Sequence, residues 1–154
     1  MRTFQTVAEL AACVGQEIGA SEWITVTQDM VNQFADATGD HQWIHIDVER
    51  AKKGPFGAPI AHGFLTLSLL PRFMANTYSV AEKGMGVNYG LNKVRFTSPA
   101  PVGCRLRAHT KLLKAEAIDN QGQQMTWSVT VEREGSDKPV CVAESMSRSY
   151  PAAS

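Results

Sequence analysis

Ala61-His62-Gly63-Phe64-Leu65-Thr66-Leu67-Ser68-Leu69-Leu70-Pro71-Arg72-Phe73-Met74 decides the architecture of this chain. Its apolar residues fall almost all round a helical wheel, and a helix without a polar face belongs inside a protein. The pattern predicts a buried central helix from Ala61 to about Tyr78. Pro71 interrupts it. A proline in mid-helix removes one backbone hydrogen bond and costs about 3 kcal/mol, so a kink or a restart is expected there.

A buried helix needs cover, and the second half of the chain supplies it. Val87, Tyr89 and Leu91 share one face of a strand, while Val94 and Phe96 fall on the opposite phase. One extra residue between Gly90 and Lys93 restores the register, which predicts a β-bulge. Pro99-Ala100-Pro101-Val102-Gly103 reads as a turn. Cys104, Leu106, Ala108 and Leu112 then alternate with Arg105, Arg107, His109 and Lys111. Asn120-Gln121-Gly122 precedes Met125, Trp127, Val129 and Val131, and Glu134-Gly135-Ser136-Asp137 precedes a last strand from Val140 to about Ser147. Four strands with polar turns predict an antiparallel meander with one polar face and one face that packs on the helix.

The first half reads as mainly helical. Val7, Leu10, Ala11 and Val14 recur at helical spacing, with Gly15 as a stop, and Trp23-Ile24-Thr25-Val26 is a short β-prone run. Thr27 is placed to cap a second helix, with Asp29 favourable in its first turn. That helix carries Met30, Val31, Phe34 and Ala35 on one face and ends at Gly39, a left-handed terminator. Asp40 to Asp47 is then expected to be a loop, Asp47 to Ala51 a helical turn, and Gly54 to Pro59 a loop. Helices followed by strands make the fold class α+β, in one domain over residues 1–154.

Fifteen basic residues balance fifteen acidic ones, so neither nucleic acid nor an anionic membrane is expected as the main partner. Cys13, Cys104 and Cys141 form no paired motif and suggest reduced thiols in a cytoplasmic protein. The N-terminus lacks the build of a secretion signal, and the apolar run Phe64 to Leu70 is too short to cross a bilayer.

Chemistry concentrates in two segments. Ala37-Thr38-Gly39-Asp40-His41-Gln42-Trp43-Ile44-His45-Ile46-Asp47 offers an acid, Asp40, and an imidazole, His45, directly after a helix stop. Ala58-Pro59-Ile60-Ala61-His62-Gly63 leads into the buried helix, whose first free amides face any negative charge that develops there. Together these suit acid–base chemistry beside a carbonyl. His41 and His45 stand at the spacing of a helical zinc pair, but Gln42 is not the acid such a motif carries, no third ligand is obvious and Gly39 opposes a helix, so no metal is expected. The plainer reading gives Asp40 to loop amides and lets His45 cap a turn. His62 is expected to be structural, Trp43 to pack, Asp47 to orient the loop or start the helical turn, and Asn88 and Asn92 to bond nearby backbone. Arg72, Lys52, Lys53, Lys93 and Arg95 could meet the phosphates of a phosphorylated small molecule, with a solvated surface as the default for each.

Gly39-Asp40-x-x-x-x-His45-x-Asp47, followed by Pro59-Ile60-Ala61-His62-Gly63, resembles the MaoC-like, R-specific enoyl-CoA hydratase family. Asn88-Tyr89-Gly90-Leu91-Asn92-Lys93-Val94-Arg95-Phe96 with Pro101-Val102-Gly103 resembles the branch that includes nodulation protein N. Most of the family carries Asn-Pro where this chain has Gln42-Trp43, a mark of that branch. The resemblance implies a hot-dog fold, an antiparallel sheet of about five strands wrapped round the central helix. It implies Asp40 and His45 as the catalytic pair, the Gly63 backbone amide as the oxyanion contact, and no cofactor beyond the coenzyme A carried by the substrate. It also implies a homodimer whose sheets join edge to edge. The activity it implies is that of a hydro-lyase adding water reversibly to a trans-2-enoyl-CoA to give the (3R)-hydroxyacyl-CoA. Two alternatives use the same fold: a non-catalytic acyl-thioester binding module, and a thioesterase, which usually needs a helix-borne carboxylate that the stretch from His62 to Val80 lacks.

Overall fold

The computed structural model describes residues 1–153. Its elements run β1 (Arg2–Phe4), α1 (Val7–Ala11), β2 (Glu17–Ala20), β3 (Ile24–Thr25), α2 (Gln28–Thr38), α3 (Trp43–Ile46) and α4 (Val48–Lys52). They continue with α5 (Gly63–Ser68), α6 (Leu70–Thr77), β4 (Tyr78–Val80), β5 (Lys83–Arg95), β6 (Arg105–Ile118), β7 (Gly122–Arg133) and β8 (Cys141–Pro151).

The central helix is two helices. Leu69 accepts the end of α5, its amide donating back to Leu65 and Thr66, and α6 restarts at Leu70 with Pro71 in its first turn. In that position a proline sacrifices no helical bond, because the first amides of a helix have no intrahelical acceptor. The restart removes the mid-helix cost. Leu65, Leu69, Leu70 and Phe73 point into one cluster with Leu106, Leu112, Trp127, Val129 and Val131 of the sheet. Thr27 caps α2 as expected, its hydroxyl accepting the Met30 amide at 3.1 Å.

The sheet differs from a simple meander. β6, β7 and β8 follow one another antiparallel, but β5 pairs with β8 and forms the far edge, giving the order β2-β6-β7-β8-β5 with β3 also on β6. The reason lies in the segment after β5, which is not a hairpin. The Thr97 amide ties the end of β5 to Val140 at the head of β8, and the chain then crosses to the Val26 loop, where Gly103 donates to Val26 at 2.7 Å. The β5 register against β8 shifts between Leu91 and Lys93, as the phase change requires, and also between Asn88 and Gly90 and between Lys83 and Met85. Short β1 pairs parallel with β4 beside the main sheet, and β2 pairs with β6; periodicity marks none of the three. No helix among the described residues is long and apolar enough to cross a membrane.

Candidate active site

Asp40 sits where α2 is forced to stop. Gly39 adopts φ 80°, in the left-handed region that favours glycine, and its amide closes the helix on Ala35 at 2.8 Å. The chain leaves the helix at Asp40, whose side chain is exposed. Part of the plainer reading holds here, since the Gln42 amide donates to Asp40 Oδ1, though at 3.4 Å.

The segment after Asp40 is not all loop. Trp43–Ile46 forms the one-turn helix α3, with the His45 amide bonded to the Gln42 carbonyl at 3.0 Å and the Asp47 amide to Trp43 at 3.1 Å. The helix stop at Gly39 says nothing about a fresh turn that begins four residues later. Trp43 packs, its ring beneath the Arg50 guanidinium at 4.2 Å and against Gly54, where an added Cβ would lie 2.9 Å from the indole. Asp47 caps α4, accepting the Arg50 amide at 3.1 Å.

The turn of α3 swings His45 inward, to 6% exposure. Its Nδ1 lies 2.7 Å from the Ile60 carbonyl, which can only accept, so Nδ1 carries the proton and Nε2 of the neutral ring carries a lone pair. Burial pushes the imidazole below its ordinary 6.5, and positive charge on His62 acts in the same direction; the Ile60 bond and Asp40 oppose them and are outweighed. The segment bearing Ile60 is pinned in turn, Ile60 donating to Ile44 at 3.0 Å and Ala61 to Ala100 at 2.8 Å. Thus α2, α3 and the approach to α5 meet at one point.

At that point an Asp40 carboxylate oxygen and one ring nitrogen from each of His45 and His62 lie within 4.8 Å of one another. Three such donors suggest a metal, but the rings argue otherwise. His45 and His62 are stacked, with centroids 3.8 Å apart and planes 23° from parallel. A zinc ion must lie in the plane of each imidazole about 2.0–2.1 Å from its nitrogen, which stacked rings do not allow. His41, the other half of the spacing-based zinc pair, turns to the surface and bonds Asp36 at 2.9 Å.

Gly63 is the first residue of α5, and its amide has no acceptor among the described residues. The space left by its missing side chain is filled: a Cβ there would stand 2.7 Å from Phe96 Cδ2. Phe96 meets Phe64 edge to face at 5.8 Å, and both rings are exposed. Further along the helices, a cavity of about 400 Å³ lies between α5, α6 and the sheet, lined by Leu67, Leu70, Met74, Asn88, Tyr89 and Trp127 among others. It shares α5 with Gly63 but touches none of Asp40, His45 and Gly63. Asn88 faces that cavity, and Asn92 bonds Glu144 across the strands at 2.6 Å. The Ile60 carbonyl, the Phe96 ring and the fixed place of His62 carry no mark in the sequence, since each depends on contacts between distant segments.

A six-stranded sheet laid over paired helices that bury one face against it, with an acid, an imidazole and a free first-turn amide nearby, is the layout of a hot-dog hydratase. The chain belongs to the MaoC-like family, the family model described as MaoC like domain matching residues 9–134. It is 59% identical over 148 residues to the protein named 3-hydroxyacyl-thioester dehydratase Z of Mycobacterium tuberculosis, across 96% of this chain and 98% of that one. Nodulation protein N of Rhizobium leguminosarum bv. viciae is 45% identical over 140 residues, 90% of this chain and 87% of that one. Among solved structures, the unliganded R-hydratase of Pseudomonas aeruginosa superposes with a TM-score of 0.66 at 25% identity, covering 92% of this chain and 88% of that one.

Proposed function

We propose that the protein is a hydro-lyase that interconverts a trans-2-enoyl thioester and water with the (3R)-3-hydroxyacyl thioester, with Asp40, His45 and the Gly63 amide as its working groups. The observation that carries this reading is the tautomer of His45. With Nδ1–H committed to Ile60, Nε2 is left as a lone-pair base on a ring that has one nitrogen within 4.8 Å of an Asp40 carboxylate oxygen.

In the hydration direction His45 Nε2 takes a proton from water as the water oxygen bonds to C3. Asp40 accepts a hydrogen bond from the O–H that water keeps and holds the oxygen in line. The electron pair of the C2–C3 double bond moves toward the thioester carbonyl, whose oxygen gains charge beside the Gly63 amide. His45 returns its proton to C2, the carbonyl re-forms, and one C–O and one C–H bond have replaced the alkene and one water O–H bond. Because the thioester itself acidifies C2, the reaction calls for no cofactor. The dehydratase relative at 59% identity supports the reaction class, and coenzyme A is the proposed carrier. The cavity between α5, α6 and the sheet is the proposed seat of the acyl chain. The three free cysteines fit a cytoplasmic setting.

Crotonyl-CoA tests the proposal. Loss of the conjugated enoyl absorbance is expected in the wild type, with turnover reduced by about 10²–10⁴ in Asp40→Asn and in His45→Gln. Release of free thiol instead would establish a thioesterase, and tight binding with neither signal a binding module.

A further inference from the structure

We infer that His62 is a positioning residue of this site, a brace that fixes the Asp40–His45 pair relative to the first turn of α5. The inference rests on the hydratase reading above and adds a residue to it.

Three contacts carry it. His62 Nε2 lies 3.0 Å from the Asp40 main-chain carbonyl, so Nε2–H donates, and the residue before α5 is tied to the second residue beyond α2. The ring lies face-on against His45 at 3.8 Å, which leaves the base one orientation on that side. Phe34 of α2 also packs on the ring, tilted, with centroids 4.9 Å apart. At 2% exposure the ring is almost wholly buried, yet Nδ1 has no hydrogen-bond partner among the described residues. A side chain kept only to fill space would be apolar, because an unsatisfied buried nitrogen typically costs about 1–3 kcal/mol. A leucine would fill the volume but supply neither the bond to Asp40 nor a flat face for His45.

The titratable groups gathered round His62 are Asp40 from the loop and His45 from α3; α2 contributes the uncharged Phe34 ring. Charge on His62 opposes charge on His45, so His62 holds His45 in place and also favours its neutral, basic form. Small displacements suffice to matter, since a misplacement of about 1 Å costs about 10²-fold in rate.

Two variants separate the bond from the ring. His62→Phe keeps a flat ring against His45 and loses the donor to Asp40. His62→Gln keeps a donor and loses the ring. With crotonyl-CoA, His62→Phe is expected to lower kcat about tenfold or more, with KM within about twofold and the thermal midpoint little changed. His62→Gln is expected to recover most of that turnover while moving the acid limb of kcat/KM to higher pH. Wild-type kcat and an unmoved acid limb in both variants would overturn the inference. So would parallel loss of kcat and thermal midpoint in both, with no recovery in His62→Gln. A wild type that leaves crotonyl-CoA untouched would sink the hydratase reading instead. The brace would then be decided by imidazole nitrogen NMR of His45 in wild type and His62→Gln. A raised His45 pKa in the variant supports it, and an identical titration overturns it.

Discussion

Single side chains set the working pH of this site. The His45 ring is buried and its proton is assigned to Nδ1 by one carbonyl, so burial, the largest influence, holds its pKa below 6.5. As the base in hydration it must be neutral. The acid limb of kcat/KM is therefore expected to fall below 6.5 in the wild type and to vanish with the residual activity of His45→Gln. The same ring links pH to stability. A group whose folded pKa is depressed contributes fully above its unfolded value, and that contribution is lost as pH falls from 6.5 through the folded value. Urea unfolding across that interval should show the wild type losing stability more steeply than His45→Gln; equal slopes would mean that His45 titrates as it does in the unfolded chain. Asp40 and His45 were legible because a glycine stop, an acid and an imidazole lie within one short segment. The bond from His45 to Ile60 spans fifteen positions and the bond from His62 to Asp40 twenty-two, and no local pattern encodes either.

Element boundaries place the groups that touch substrate. The cap at Thr27, the stop at Gly39 and the restart near Pro71 were legible because each rests on one residue whose backbone chemistry is nearly independent of context. The turn of α3 was not, because four residues without a side-chain cap carry no periodicity. β5 was read as a bulged strand, yet its place beside β8 depends on where the Thr97–Cys104 crossing lands, which is a tertiary matter. The start of α5 gives the sharpest test at this scale. Proline is tolerated at the first position of a helix, where it removes only an amide that has no helical partner. His62, just before it, has ψ 138°, the extended conformation that a following proline requires. Gly63→Pro in a Phe96→Ala background, which clears the ring that a Cβ would meet, should leave the thermal midpoint close to that of the background. Turnover should fall about 10²–10³-fold, the usual cost of one lost oxyanion donor. Gly63→Ala in the same background retains the amide and should retain most activity. Equal activity in the alanine and proline variants would remove Gly63 from the chemistry.

Among the described residues the main sheet ends in the short β2 on one side and in a long open strand on the other. β5 is the outermost strand, thirteen residues long, paired only with β8 on one side. Met85 at 55% exposure, Val87 at 42%, Tyr89 at 50% and Leu91 at 45% lie along it. Soluble proteins normally blunt such an edge with charge, proline or cover, because unpaired strand amides and carbonyls invite another strand. Here Lys83, Lys93 and Arg95 occupy the ends and the apolar residues occupy the middle. A second copy running antiparallel about a twofold axis pairs the apolar middle of the strand with itself, so β5-to-β5 pairing is the proposed dimer contact. Phe96 directly follows β5 and abuts Gly63, so the candidate site lies near one end of this strand. Sedimentation of the wild type at micromolar concentration should therefore give a dimer. Val87→Lys with Leu91→Lys should give a monomer with unchanged far-ultraviolet circular dichroism, since both positions are exposed in the single chain. A monomeric wild type, or a lysine variant that still sediments as a dimer, would remove β5 as the interface and leave its apolar row without a partner.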